Sequence, residues 1–388
     1  MVSSKLNNRR KNINGFGLAI LLCANPLSWI FPVNNIIVYY SLISLIIVLF
    51  NNPITSFINS KLWVILGVLT LFTSSYLFAN IDQRLFFLYF YSFLTFGVTG
   101  LLYSNVQFSF SALFKTIFGI AVLSVPGIYR EATTDYSRMG DMSGVWMGVS
   151  QGALRLVLGI IVVIPLLNSR IFKYISFATI LVYSSFFIAY GNRGSFLALI
   201  LFLIFLGLNG AKKLNVKNFV LLALLGGLLS FFFIDVIQLI IDFFLVFDIE
   251  IGALEKIIRF DRLGKELTNG RNLIWEKALV DIVDNPIYGH GVSAFINKYG
   301  VYPHNFLLEM FFEGGLIYLT PVLWVFYRFF KLLFSNDISS EEKKILVFIF
   351  CAGIMEVAFS NVYWRNMFFW FFIGYTLNLK KKPAISYE

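Results

Sequence analysis

Long apolar runs recur along most of the chain and are separated by short polar breaks. Read in windows of about 19 residues, they predict helices near 14–31, 35–51, 61–79, 84–103, 108–128, 147–167, 171–190, 194–209, 217–235, 305–333, 345–360 and 362–379. A bilayer crossing needs about 20 apolar residues, so this pattern predicts about twelve transmembrane helices. Backbone N–H groups in lipid must be satisfied within each segment, and the alternation of a barrel strand is absent, so the predicted class is an all-α polytopic membrane bundle. Asp235 to Phe247 is apolar but carries Asp235, Gln238 and Asp242, which predicts an interfacial helix in place of a further span.

One stretch breaks the pattern. From Asp248 to Tyr302 the chain turns polar, then re-enters apolar sequence through Pro303-His304-Asn305. The implied organisation is an N-terminal transmembrane bundle over 1–247, an extracytoplasmic loop region with short helices over 248–304, and C-terminal transmembrane helices with a cytoplasmic tail over 305–388.

Composition agrees with a membrane protein. Of 388 residues 58% are hydrophobic and 13% charged, where a soluble domain carries about a quarter charged residues. The net charge of +10 is divided among short loops and chain ends, with no basic face for nucleic acid. Cys23 and Cys351 lie far apart within apolar runs and read as packing residues. Lys5, Arg9, Arg10 and Lys11 ahead of an apolar run resemble the start of a signal peptide, although the many spans that follow favour a retained first helix.

With the N-terminus inside, Arg170 and Lys173, Lys212, Lys213 and Lys217, Lys331, Lys343 and Lys344, and Lys380 to Lys382 all fall on the cytoplasmic side. The polar island then faces outward. That outer side holds mostly arginine: Arg84, Arg130, Arg138, Arg155, Arg193, Arg259, Arg262, Arg271 and Arg365. A guanidinium grips oxyanions with paired hydrogen bonds, which suits a phosphate-bearing ligand. Snorkelling to headgroups, or pairing with nearby acidic residues, explains any single one equally well. Arg155, inside an apolar helix, and Arg193, at the Gly191-Asn192-Arg193-Gly194 junction, call for a partner or a wet cavity, because an intramembrane arginine costs at least ~2.5 kcal/mol.

Within the island, apolar residues at spacings of three and four from Asn272 to Ile282 predict a short amphipathic helix that starts near Gly270-Arg271 and stops at Asn285-Pro286. Its free N–H groups and dipole favour an anion beside Arg271. Gly289-His290-Gly291 reads as a flexible loop. Asn305 or His304 can cap the next helix, whose Glu309 and Glu313 share a face. Two carboxylates there need partners, the outer arginines being the obvious ones. A catalytic role and a salt-bridge network that holds the loop down both fit. His304 can exchange a proton near neutral pH and suits a general base.

These residues resemble the superfamily of O-antigen ligases and O-antigen polymerases. The resemblance rests on Gly270-Arg271 and Trp275, Asn285-Pro286, Gly289 and Gly291, Phe295, His304-Asn305, Leu308, Glu309, Glu313 and Gly314-Gly315, with Asn192-Arg193-Gly194 upstream where the family has Ser-Arg-Gly. It spans about 185–320. It implies a fold of the membrane glycosyltransferase C type and a glycan carried on undecaprenyl diphosphate at the outer face of a bacterial inner membrane. On this reading Arg193 and Arg271 hold the diphosphate, with Arg155, Arg259 and Arg262 as further substrate contacts. His304 activates or orients the acceptor hydroxyl, Glu309 positions His304 or an arginine, and Asn305 and Glu313 are further substrate contacts. Neither metal nor cofactor is required, since arginines can neutralise the departing diphosphate. Chain-length regulators and flippases are the implied companion proteins.

A polymerase transfers the glycan to another lipid-linked repeat unit, whereas a ligase transfers it to the lipid A core, and the motifs do not separate the two. The compact outer loop and the wider occurrence of polymerases favour the first. A lipid-linked oligosaccharide flippase is the alternative of another class, but no internal repeat of the transporter kind is visible. A structural scaffold would leave His304 and the outer arginines without a purpose.

Overall fold

The computed structural model describes residues 2–31, 36–57, 62–78, 82–133, 142–189, 193–210, 271–359 and 361–379, together with Gln238 and Asp242. The predicted span 217–235, most of the predicted interfacial helix and the first part of the polar island lie outside the described residues, as do Arg138, Arg259 and Arg262.

Among the described residues every regular element is helical. In order the helices are α1 (Val2–Leu22), α2 (Ala24–Ile30), α3 (Ile36–Asn51), α4 (Leu62–Phe78), α5 (Gln83–Ser92), α6 (Val98–Asn105), α7 (Phe110–Thr133), α8 (Met142–Val163), α9 (Arg170–Ala189), α10 (Arg193–Gly210), α11 (Arg271–Asp284), α12 (Ala294–Tyr299), α13 (Phe306–Phe334), α14 (Ser340–Ile349), α15 (Met355–Phe359) and α16 (Met367–Asn378). Single π-helical turns, Phe93–Gly97 and Phe350–Ile354, join α5 to α6 and α14 to α15.

Four described helices are long and apolar enough to cross a membrane, or five if the pair bent by 78° around Cys23 counts as one span. The predicted count of twelve is therefore not confirmed. The apolar stretches Ile37–Asn51, Trp63–Phe78, Gly194–Gly207 and Met367–Asn378 are helical over 10–17 described residues each. Hydropathy measures a run's composition but not where its helix bends or stops. The predicted first span, for example, is divided at Cys23, just before Pro26, whose missing N–H is tolerated only in a first turn.

The centre of the bundle is aromatic. α16 buries Phe368, Phe369, Trp370, Phe371 and Phe372 and runs closely along α6. Gly100 and Gly374 make that approach possible: a Cβ on either would strike the opposite helix, at the Met367 carbonyl and the Ser104 side chain respectively. Small residues serve helix contacts in lipid because lipid tails supply no hydrophobic drive, leaving close van der Waals packing to hold helices together.

The segment 285–293 is laced onto α13. His290 N–H donates to the Phe312 carbonyl at 2.8 Å, Gly291 N–H to Glu313 at 2.9 Å, Leu316 N–H to Pro286 at 2.9 Å and Ile317 N–H to Ile287 at 3.2 Å. The exchange requires α13 to open at Gly315, which has φ 59° and ψ −159°. The Gly289-His290-Gly291 run is therefore a docked strap and not the flexible loop that its glycines suggested: Gly289 has φ 72° and lies so close to Glu313 that a Cβ would meet its carbonyl at 2.6 Å. The His290 ring stacks on Phe312 at 4.5 Å and bonds the Asp281 carbonyl at 2.9 Å.

Gly315→Ala should lower stability by about 1–3 kcal/mol through backbone strain, with steric contact at the Ile287 carbonyl adding to it. Thermal unfolding in detergent should show the loss, and amide exchange should accelerate first in 285–293.

Candidate functional site

The strap and its neighbours place three separate stretches of sequence around one carbonyl. α15 ends at Phe359, and the last carbonyls of a helix have no partner within it. Arg271, the first residue of α11, donates to the Phe359 carbonyl through Nη1 at 3.0 Å. The same carbonyl acts on His304, as does the Arg271 charge. Gly194, in the first turn of α10, packs on the Phe359 ring, where a Cβ would come within 3.0 Å. Arg193 begins that helix, so its backbone stands beside the cluster; its side chain lies outside the described residues.

His304 is held in an unusual backbone state, with φ 53°. A left-handed conformation costs a non-glycine residue about 1–3 kcal/mol and persists only where neighbours over-determine it. Here Trp275 of α11 donates to the Pro303 carbonyl at 2.7 Å, the Tyr302 ring lies 4.0 Å from the imidazole, and Asn305 caps α13 by accepting from Leu307 N–H at 3.1 Å and Leu308 N–H at 3.3 Å. The Asn305 oxygen is thus engaged by the cap. Nδ1 of His304 is buried and finds no hydrogen-bond partner among the described residues. Burial, and after it the Arg271 charge, lowers the His304 pKa from 6.5 to about 4, against a smaller opposing effect of the Phe359 carbonyl. The imidazole is therefore neutral at pH 7 and has a nitrogen to offer.

Glu309 and Glu313 share one face of α13, and both are buried. Among the described residues neither is in an ion pair. Glu313 instead accepts from the Ser293 N–H at 2.7 Å, the Tyr363 hydroxyl at 2.6 Å and the Trp364 indole at 2.9 Å. The arginine partners read from the sequence are replaced by neutral donors, which satisfy a carboxylate with no second ion to desolvate. Glu313 thereby ties the strap at Ser293 to the turn after α15. Tyr89 of α5 is within electrostatic reach of both glutamates, and its buried hydroxyl has no partner among the described residues.

Arg155 lies deeper, 5% exposed on α8. It pairs with Glu356 of α15, donates from Nε to the Ala352 carbonyl at 3.4 Å, and sits 4.7 Å over the Phe368 ring. Glu356 also receives Asn361 at 2.8 Å and Asn366 at 3.2 Å. The π-helical turn ahead of α15 contains Ala352. Arg155 is thus matched by a protein carboxylate in the frame beneath Phe359. Arg84, Arg130 and Arg365 are exposed, and Arg130 donates to the Trp29 carbonyl at 3.1 Å.

Glu356, the Phe359 carbonyl, Tyr363 and Trp364 were missed from the sequence. For Glu356 a signal existed: it is a lone acid between two apolar runs, and ionisable groups in such places are rarely incidental. The carbonyl has no sequence signature at all. On the far side of α11, Asp281 meets Lys298 at 2.6 Å and the Tyr299 hydroxyl. Burial opposes its charge, yet Lys298 and Tyr299 outweigh that and hold its pKa below the ordinary value. This pair fastens α11 to α12. Among the described residues, no group of three or more His, Cys, Asp or Glu side chains is placed to hold a metal ion.

The fold and site define a multi-pass helical membrane protein with a guanidinium and a neutral imidazole gathered at one end of the bundle. Residues 177–327 match a family model described as O-antigen ligase. This segment contains Arg193, Arg271, His304, Glu309 and Glu313, and the match supports the O-antigen ligase and polymerase superfamily and a membrane glycosyltransferase type of enzyme. No curated protein matches the chain.

Arg155→Met or Glu356→Leu alone should cost about 3–5 kcal/mol, because each leaves a buried charge unpaired. The double variant should lose less than the sum of the two. Denaturation in mixed micelles measures all three, and additive losses would contradict the coupling.

Proposed function

We propose that the protein is a surface-polysaccharide polymerase of the bacterial inner membrane, with its site facing the exterior. It moves a glycan from undecaprenyl diphosphate to a hydroxyl of another lipid-linked repeat unit. The observation that carries this reading is the meeting of Arg271 and His304 at the Phe359 carbonyl, beside the first turn of α10. A glycosyl diphosphate needs two things from an enzyme: positive charge where the diphosphate departs, and a base for the incoming hydroxyl. Arg271 supplies the first, joined by Arg193 and the N–H groups that begin α10. His304 Nδ1 supplies the second.

The low pKa of His304 fits this role once substrate is considered. In the free site the Arg271 charge disfavours imidazolium. A bound diphosphate offsets that charge, so the imidazole becomes more basic when the hydroxyl has to be deprotonated. Glu309, one turn into α13, orients the base or an arginine, and Glu313 holds the strap in place. Arg259 and Arg262 are further candidates for the diphosphate. Attack by the hydroxyl on the anomeric carbon inverts its configuration. A ligase acting on the lipid A core would use the same machinery with a different acceptor.

Incubating the purified protein with a synthetic undecaprenyl-diphosphate repeat unit should yield lengthened glycan by mass analysis, without added metal or nucleotide. A deletion strain that accumulates long unattached glycan, in place of a single capped repeat, would point to the ligase. His304→Ala should lower turnover by about 10²–10⁴-fold. For the wild type, kcat/KM should fall as pH drops through about 4, since the base is lost when protonated. The corresponding limb in kcat should lie at higher pH, where bound diphosphate has raised the pKa. Arg271→Gln should move the kcat/KM limb upward but leave it below 6.5, because burial, the larger cause, remains.

A further inference from the structure

A groove of about 840 Å³ runs between α4 and α13 and is separate from the His304 cluster. Its walls are apolar and aromatic, with Trp63, Leu71, Tyr318, Val325 and Trp370 prominent, and no Asp, Glu, Lys or Arg is among the described residues lining it. Trp63 and Phe78 of α4 both border it, so it extends roughly 22 Å along that helix, most of the ~30 Å hydrocarbon core. At one end it is closed by the strap, at Asn285, Gly289, His290 and Gly291. About one turn in from Trp63, Gly67 faces open space: a Cβ there would meet nothing within 4 Å.

We propose that this groove holds the isoprenoid chain of the acceptor lipid. The inference rests on the polymerase reading, and geometry separates donor from acceptor. In the donor, the reacting carbon is bonded directly to the diphosphate, so the donor's diphosphate must sit at Arg271 and His304. In the acceptor, the reacting hydroxyl belongs to the glycan, at a distance from the diphosphate, so the acceptor's lipid must enter at an offset from that cluster. The groove meets α13 at Gly314, roughly 13 Å along the axis from the Asn305 cap. The acceptor's diphosphate is not the leaving group and gains no charge in the step, so it needs no guanidinium in the transition state. In the step itself, the acceptor oxygen bonds to the donor's anomeric carbon. The bond from that carbon to the diphosphate oxygen breaks with its electron pair, and the hydroxyl proton passes to His304 Nδ1.

Two synthetic lipids test this. One is a donor whose acceptor hydroxyl is methylated. The other is an acceptor whose anomeric oxygen is replaced by CH₂, so that it cannot leave, and whose isoprenoid chain carries a diazirine. Gly67→Phe places a ring in the groove without striking protein. It should raise the KM for the long-chain acceptor about tenfold, the equivalent of roughly two buried methylenes, while the donor KM, kcat and the KM for a geranyl-chain acceptor stay unchanged. Photolysis of the wild type should label α4 and α13, and excess phosphatidylglycerol vesicles should not suppress the label. A rise in the donor KM instead would assign the groove to the donor, and suppression by phosphatidylglycerol would assign it to bulk lipid; either overturns the inference. Product without label on α4 and α13 overturns the groove assignment alone. Label without product from the wild type overturns the polymerase reading, and the acceptor role with it.

Discussion

A polar group withdrawn from water into a membrane bundle must find a partner, and in this protein that requirement organises the region around Phe359. The Phe359 carbonyl, released where α15 stops, is answered by the Arg271 guanidinium. The Glu313 carboxylate is answered by three neutral donors, and Arg155 by Glu356. Each answer joins stretches far apart in the chain. Together they hold the start of α11, the start of α13 and the turn after α15 in one arrangement. In water such contacts would each be worth little, but in a low-dielectric interior leaving one unmade is costly.

The same constraint divides the charged residues into two kinds. Arg155 and Glu356 neutralise each other inside the bundle, with Asn361 and Asn366 completing the carboxylate's hydrogen bonds. This pair supports the Phe359 turn from below. Arg271 is oriented by the Phe359 carbonyl and stands beside His304. The neighbouring imidazole feels the charge, as its low pKa records. An oriented cation beside a neutral base is a useful pairing for a reaction in which an anion departs while a proton is removed.

Docking of the strap gives the site a firm floor. The loop from Asn285 to Ser293 exchanges main-chain hydrogen bonds with α13 where Gly315 opens the helix, so it adds no unpaired backbone to the membrane interior. The strap also lines the apolar groove, through Asn285, Gly289, His290 and Gly291. α13 carries the buried Glu309 and Glu313 in its first turns and borders the groove from Gly314 to Val325.

Much of this was legible in the chain. Helical class follows from apolar run length, because lipid admits little else. The helix over Arg271–Asp284 follows from three-and-four spacing and the Asn285-Pro286 stop. His304, Arg271, Glu309 and Glu313 stood out because ionisable groups at a membrane boundary are scarce. The predicted twelve crossings are not confirmed: four or five of the described helices are long and apolar enough to cross a membrane. The partners were not legible. Two glycines around His290 report freedom in the isolated chain, whereas the folded strap uses that freedom to dock. Sequence by itself determined which groups had to be satisfied in an apolar medium. Tertiary structure alone decided what satisfies them, because a carbonyl freed at Phe359 or an indole at Trp364 becomes a partner only when distant segments are brought within hydrogen-bond reach.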